Sequence, residues 1–253
     1  MNKQPTIGII GAGFIGAILK RYFKNAKQYD IAVDIDKLED VLACDVIFLA
    51  FNVLDNGVSE KSKEDIERYP KQAPQGRVFV IKSTFVPGMT DYLQVKYPQH
   101  TFIYNPEFLT EMTAWKDFTE PQFQILGCPQ KAIEQNNLIH WLFTILPKAP
   151  VTTVISPHDA EVFKHAKNTY YALKVTWFNQ LYDACKEINA DYETVRSLLV
   201  KDPWIGDSHS VIFHKGYRGF GGKCLSKDPK IFGEMTHMPL INHIEEYNGN
   251  LRS

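Results

Sequence analysis

Short apolar runs separated by helix-length amphipathic stretches fill the first 155 residues. The runs lie at 6–10, 31–34, 46–50, 78–81, 101–104, 124–126 and 151–155. Unbroken runs of this length read as strands buried on both faces, and their alternation with helical stretches predicts a parallel sheet covered by helices. Beyond residue 156 the period changes. One stretch, 157–189, places Ala160, Phe163, Tyr171, Val175 and Phe178 at helical spacing, with the stems of Lys164 and Lys167 filling the stripe. Pro157 suits its first turn, and no Gly or Pro interrupts it afterwards. A shorter helix is expected over 192–200, then a glycine-rich loop at 215–227, then two terminal helices. The chain thus reads as an α/β domain over 1–155 and an all-helical domain over 156–253.

Composition narrows the class. Of 253 residues, 44% are hydrophobic and 23% charged, which is enough for a proper core. A formal net charge of −1 excludes a general nucleic-acid or membrane-surface binder, and no apolar run is long enough to span a bilayer. Cys44, Cys128, Cys185 and Cys224 form no CxxC pair, and the eight histidines form no HExxH. Neither a metal site nor a disulfide scaffold is expected, and a reducing cytoplasm is the natural compartment. The N-terminus has no signal-peptide layout.

The first expected strand runs into TIGIIGAGFIG, which sets Gly11, Gly13 and Gly16 in a GxGxxG pattern between a strand and a helix expected over 14–24. That context makes it a Rossmann dinucleotide fingerprint, in a doubly wound sheet. Gly11 allows the tight turn, Gly13 a close approach to pyrophosphate, and Gly16 close packing of the helix. The helix N-terminus offers N–H groups to the phosphates. The second expected strand, within DIAVDID, ends at Asp34, eighteen residues past Gly16. A carboxylate there accepts from a ribose diol and repels a 2′-phosphate, which selects NAD over NADP. FAD shares the glycine pattern.

Four later segments carry candidate chemistry: KSTFVPGMT (82–90), YNPEFLTE (104–111), EVFKHAKNTYYALKVTWFNQL (161–181) and GFGGKCLSKDP (219–229). Each has a bland account taken singly: a helix cap at Ser83–Thr84, solvated i, i+4 pairs at Glu107/Glu111 and Lys164/Asn168, and a buried small hydrophobe at Cys224. Cys224 is nevertheless the one cysteine in a glycine-rich loop beside cations, Lys223 and Lys227, surroundings that favour thiolate.

Taken together, in order and spacing, the segments resemble the UDP-glucose and GDP-mannose 6-dehydrogenase family. Its members share the glycine fingerprint, an STxPxG turn, an NPEFLxE segment, a KxxxN helix and a GFGGxCxxKD loop. The likeness implies NAD-dependent oxidation of a sugar C6 alcohol to a carboxylate in two hydride transfers. It places Thr84, Asp228, Lys164 and Asn168 at the first oxidation and makes Cys224 the nucleophile that holds the aldehyde as thiohemiacetal, then thioester. It offers Glu107 or Glu111 as the hydrolytic base, with Glu107 favoured. It implies cofactor contacts from Phe14, Ile15, Thr84 and Lys227 besides the glycines and Asp34. Substrate contacts would come from Phe108, Leu109, Lys164, Asn168, Gly219, Gly221 and Gly222. No metal is implied. The family's further Rossmann domain has no counterpart up to Ser253, its DxRIG segment reads DPWIG with Trp204 for arginine, and its PDR segment reads PQF. The partners implied are a small-molecule nucleotide sugar, a second copy of the chain, and a separate chain supplying the further domain. Two other readings stay open on the sequence: a non-catalytic NAD-binding or assembly protein, and a single-step β-hydroxyacid dehydrogenase, which needs no cysteine.

Overall fold

Alternate residues of each central strand enter opposite cores, and this fixes the sheet. A computed structural model describes residues 4–53, 55, 57–214 and 216–252, with the backbone alone for Lys223. Among these, the strands are β1 (Ile7–Ile10), β2 (Lys27–Tyr29), β3 (Val46–Leu49), β4 (Val78–Ile81), β5 (Thr101–Tyr104), β6 (Phe123–Gly127) and β7 (Val151–Ile155). They form one sheet in the order β2-β1-β3-β4-β5-β6-β7. Ile47, Leu49, Phe79, Ile81, Phe102 and Tyr104 pack on one face, and Ile9, Phe48, Val80, Ile103 and Leu126 on the other. Both faces are covered, so the strands read as continuous apolar runs.

The pairing is parallel from β2 to β5 and between β6 and β7. β6 meets β5 antiparallel, at Tyr104 opposite Gly127. The expected all-parallel sheet is thus mostly parallel, with its last two strands reversed. Gly127 permits the closeness of that segment, because a Cβ there would lie 2.9 Å from both the Ala160 Cβ and the Pro157 Cα.

The second strand departs further from expectation. β2 is Lys27–Tyr29, and residues 31–34 are in no strand. The alternation of Ile31, Val33 and Ile35 mimics a strand, yet all three side chains are exposed. What β2 buries is polar: Gln28, whose Nε2 donates to the Gly11 carbonyl at 2.9 Å. Asp36 turns back onto it, accepting the Gln28 N–H at 2.8 Å and donating its own N–H to the Gln28 carbonyl at 3.1 Å.

The covering helices are α1 (Phe14–Tyr22), α2 (Leu38–Leu42), α3 (Glu60–Gln72), α4 (Met89–Lys96), α5 (Ala114–Thr119), α6 (Gln130–Ile133) and α7 (Asn136–Ile145). There follows α8 (Pro157–Glu187), started by Ser156, whose Oγ accepts the Asp159 N–H at 3.1 Å. Then come α9 (Tyr192–Leu199), α10 (Gly222–Leu225), α11 (Asp228–Thr236) and α12 (Pro239–Arg252). The chain forms two compact units that divide inside α8, the first ending at Lys164 and the second beginning at His165. Ala160 explains why the start of α8 belongs with the sheet: it is fully buried in the core beside Phe102 and Tyr104. No helix among the described residues is long and apolar enough to cross a membrane.

Candidate active site

In the first unit the glycine loop leaves β1 at Gly11, whose φ is +110°. A Cβ there would stand 2.3 Å from the Ala50 carbonyl oxygen, so only glycine fits. At Gly16 a Cβ would meet the Gly11 carbonyl at 1.9 Å, which brings α1 against its own loop. Gly13 differs: nothing lies within 4 Å of its Cβ position, and it starts α1 with no side-chain cap. The loop is thus tight at Gly11 and Gly16 and open at Gly13. Phe14 is exposed, whereas Ile15 packs partly into the core.

The acid at the end of β2 is Asp30, not Asp34. Asp30 Oδ2 accepts the N–H of Ala12, inside the glycine loop, at 2.6 Å, and its Oδ1 accepts from the Ala32 N–H at 2.9 Å. Asp34 lies exposed beyond the strand. The sequence reading was drawn to it by the apolar alternation around it.

Past β4, Ser83 is pinned by its Oγ, which donates to the Phe51 carbonyl at 2.7 Å and accepts the Phe51 N–H at 3.1 Å. Thr84 follows, half-buried. The turn that begins α4 is held by Glu161 of α8, a residue the sequence reading missed. Its carboxylate accepts the N–H groups of Gly88 (2.6 Å) and Thr90 (2.9 Å) and the Thr90 hydroxyl (2.6 Å). Burial pushes its carboxyl up to about 7 against these three donors.

Past β5, Asn105 donates to the Gln124 side chain and the Ile125 carbonyl, both at 2.8 Å. Residues 105–110 are not helical, so Glu107 and Glu111 share no helix face. Glu107 is enclosed, while Glu111 is exposed. Lys164 Nζ lies 2.9 Å from Glu107 Oε1 and also donates to the Glu107 carbonyl at 2.5 Å, with the Phe108 ring 5.3 Å away. Glu107 Oε2 accepts the Leu109 N–H at 2.8 Å. Burial works to raise the Glu107 carboxyl, but the Lys164 charge, the Leu109 N–H and the more distant Lys82 hold it below the usual range. These partners favour its ionised form.

In the second unit, Asn168 Nδ2 donates to Asp228 Oδ2 at 2.7 Å, with both residues buried. His165 stacks on Phe232 at 5.8 Å. Asp228 opens α11, followed by Pro229 in the first turn. Cys224 sits on α10 and is exposed, whereas Cys44, Cys128 and Cys185 are buried. The Lys223 side chain, expected beside that thiol, lies outside the described residues; Lys227 is half-buried.

The glycine loop before Cys224 is tied down from both sides. Asn248 of α12 accepts the Phe220 N–H at 2.7 Å and donates to its carbonyl at 3.1 Å, and Arg252 Nη1 adds a bond to that carbonyl at 3.2 Å. Gly219 (φ +77°) and Gly221 make room, since a Cβ at either would meet Asn248 or Arg252 at 2.5 Å. Arg218 anchors the other end through Asp183, with Nη1 and Nη2 2.7 and 2.8 Å from the two carboxylate oxygens. None of Arg218, Asn248 and Arg252 stood out in the sequence.

Residues 158–250 match the model for the central domain of the UDP-glucose/GDP-mannose dehydrogenase family. The second unit is thus similar to that family's central domain. It is 29% identical over 168 residues to UDP-glucose 6-dehydrogenase of Rickettsia typhi, an alignment covering 64% of this chain and 37% of that one. The chain spans half or less of the length of such relatives. In fold it is similar to a UDP-glucose dehydrogenase from Pyrobaculum islandicum, with a TM-score of 0.79, 20% identity, and coverage of 97% of this chain and 68% of that one. A 3-hydroxyisobutyrate dehydrogenase from Mycobacterium tuberculosis shares the fold at a TM-score of 0.75 and 12% identity, covering 97% and 93%. The Asn168–Asp228 pair and exposed Cys224 lie within the matched residues 158–250, and the glycine loop precedes them.

Proposed function

We propose that this chain oxidises the C6 primary alcohol of a nucleotide sugar, UDP-glucose-like, to the carboxylate in two NAD-dependent steps. The observation that carries the reading is Cys224: of four thiols it is the exposed one, at the end of a glycine loop held in place and a turn before buried Asp228. A single-step alcohol oxidation has no use for such a thiol.

The residues present fit NAD. Gly11 and Gly16 have no room for a side chain, Gly13 faces open space, and Asp30 marks the carboxyl end of β2. Those groups, with Phe14, Thr84 and Lys227, would hold the cofactor, which supplies a hydride acceptor at each oxidation. Asp30 already bonds the loop N–H, so ribose recognition falls to it rather than to Asp34.

The chain's own groups divide the remaining work. Asp228, oriented by Asn168, takes up the proton of the sugar hydroxyl, and Lys164 turns a donor towards the alkoxide. The Cys224 thiolate adds to the aldehyde, so that the intermediate stays bound as a thiohemiacetal and, after the second hydride leaves, as a thioester. Glu107 takes a proton from water, whose oxygen attacks the thioester carbonyl and releases the acid and the thiol. The proposed sugar contacts are the backbone around Phe108–Leu109 in the first unit and the glycines 219, 221 and 222 in the second. A homodimer formed through the helical unit would cover Leu198, Trp204, Val211 and Phe213, all more than half exposed, with Trp204 at 92%.

Spectrophotometry on the purified chain with UDP- and GDP-sugars tests the reading. About two NADH should form per sugar consumed. Cys224→Ala should abolish acid formation while NAD binding persists. A 1:1 ratio, together with an unimpaired Cys224→Ala variant, refutes it.

A further inference from the structure

Lys82 is a buried lysine that the reaction above does not use. It is the first residue beyond β4, 5% exposed, with its Nζ 5.7 Å from the centre of the Phe118 ring. Among the described residues it has no hydrogen-bond acceptor and no carboxylate at ion-pair distance, an expensive state for an ammonium group. Its neighbour across the sheet is Asn105, the first residue beyond β5, because Ile81 pairs with Tyr104 and the Asn105 N–H donates to the Ile81 carbonyl at 2.8 Å. Asn105 Oδ1 is itself buried without a donor. Val80 and Ile103, one residue inward from Ile81 and Tyr104, pack in the core beside α1, so Lys82 and Asn105 lie on that same face. Two residues past Asn105 stands Glu107, with Lys164 in contact. The charges acting on Lys82 are those of Glu107 and Lys164, and those acting on Glu107 are Lys164 and Lys82.

We propose that Lys82 is a positioning residue for Glu107: a second positive charge, on the neighbouring strand end, that keeps the Glu107 carboxylate ionised when Lys164 is drawn onto another oxygen. Lys164 has two duties. In this structure it bonds the Glu107 carboxylate and the Glu107 carbonyl, yet a donor for a reacting alkoxide must loosen that grip. Glu107, enclosed and then without its contact cation, would take up a proton and cease to be a base. Among the described residues Lys82 has no acceptor to draw it away, so its charge stays near Glu107. The need for Lys164 to move rests on the proposed function, but the action of Lys82 on Glu107 does not.

The test is carboxyl 13C NMR of the full chain labelled in glutamate side chains, with the Glu107→Gln spectrum identifying the signal. In Lys164→Met, Glu107 should remain ionised at pH 7. Adding Lys82→Met should raise its midpoint by about one pH unit or more, roughly a tenfold loss of acidity. Lys82→Arg should hold the midpoint near that of the parent. A Glu107 midpoint that ignores Lys82→Met overturns the assignment, as does failure of Lys82→Arg to preserve it. If Lys164→Met does not fold by near-ultraviolet circular dichroism, the single Lys82→Met variant decides by the same criterion. A chain that reduces no NAD but shows the shift keeps this inference and loses the proposed reaction. Turnover with no shift does the reverse.

Discussion

Replacing Asn248 by alanine should unlock the loop that carries Cys224. Asn248 makes a two-way clasp on one residue, accepting the Phe220 N–H and donating to the Phe220 carbonyl. Phe220 is 3% exposed, so its N–H would be left in the interior without an acceptor, at a cost of about 1–3 kcal/mol. The lost donor bond to the carbonyl adds about 0.5–1 kcal/mol, reduced because Arg252 still reaches that oxygen. A total of about 1.5–4 kcal/mol is expected in urea unfolding of the helical unit. Hydrogen exchange reads the same event locally: the Phe220 amide should exchange roughly 10- to 700-fold faster, since about 1.4 kcal/mol is a factor of ten in an opening equilibrium. Asn248→Asp separates the two halves of the clasp. It keeps the acceptor for the Phe220 N–H but turns a carboxylate oxygen towards the carbonyl, so it should retain amide protection while losing about 1–2 kcal/mol. Wild-type exchange at Phe220 together with stability within about 0.5 kcal/mol of wild type in Asn248→Ala would show that the loop is held by something else.

Other outcomes follow from the same contacts. Lys82 has its ammonium lowered from 10.5 to about 8 by burial. The unfolded chain therefore binds the proton more tightly: the penalty is full below pH 8 and fades as pH rises to 10.5, so Lys82→Met should gain about 3 kcal/mol at pH 7 and little above pH 10.5, read from paired denaturation curves. Gly16→Ala should remove NAD affinity and destabilise the first unit, because the added carbon would sit 1.9 Å from the Gly11 carbonyl; calorimetry and thermal melts check both. In NAD titrations Asp30→Ala should weaken binding at least tenfold, whereas Asp34→Ala, altering an exposed residue, should leave it within about twofold. Glu161→Ala strips the acceptor from two backbone N–H groups and a hydroxyl at the start of α4 and should cost about 2–4 kcal/mol in a urea midpoint measurement.

Much of this was legible in the chain because it obeys local rules. Continuous apolar runs gave β1, β3, β4 and β5, since a strand buried on both faces has no polar side to display. The glycine spacing gave the Gly11 turn, and Ser156–Pro157 gave the start of α8. The Glu107, Lys164, Asn168, Asp228 and Cys224 positions came from motif order. β2 was misplaced for a physical reason: it is a three-residue edge strand, KQY, whose buried member is a glutamine. Its burial is paid for by a bond to Gly11, seventeen residues away, and that bond leaves no mark on local hydrophobicity. The apolar alternation three residues later satisfies the strand pattern while facing solvent, so the end of the strand was read too late.

The groups that hold the site in place share this property more strongly. Glu161 reaches Thr90 across 71 residues, Lys164 reaches Glu107 across 57, and Asn248 reaches Phe220 across 28. Each is a polar side chain on a helix, where periodicity assigns only a face and not a partner. A buried polar residue is stable only when a distant donor or acceptor meets it, so its meaning is set by tertiary contact rather than by its neighbours in the chain. Lys82 is the limiting case. Sequence places it beside a strand of Val, Phe and Ile, and the fold gives it burial without a hydrogen bond among the described residues. A residue whose presence lowers stability needs a reason outside stability, and the nearest candidate is the carboxylate whose charge it supports.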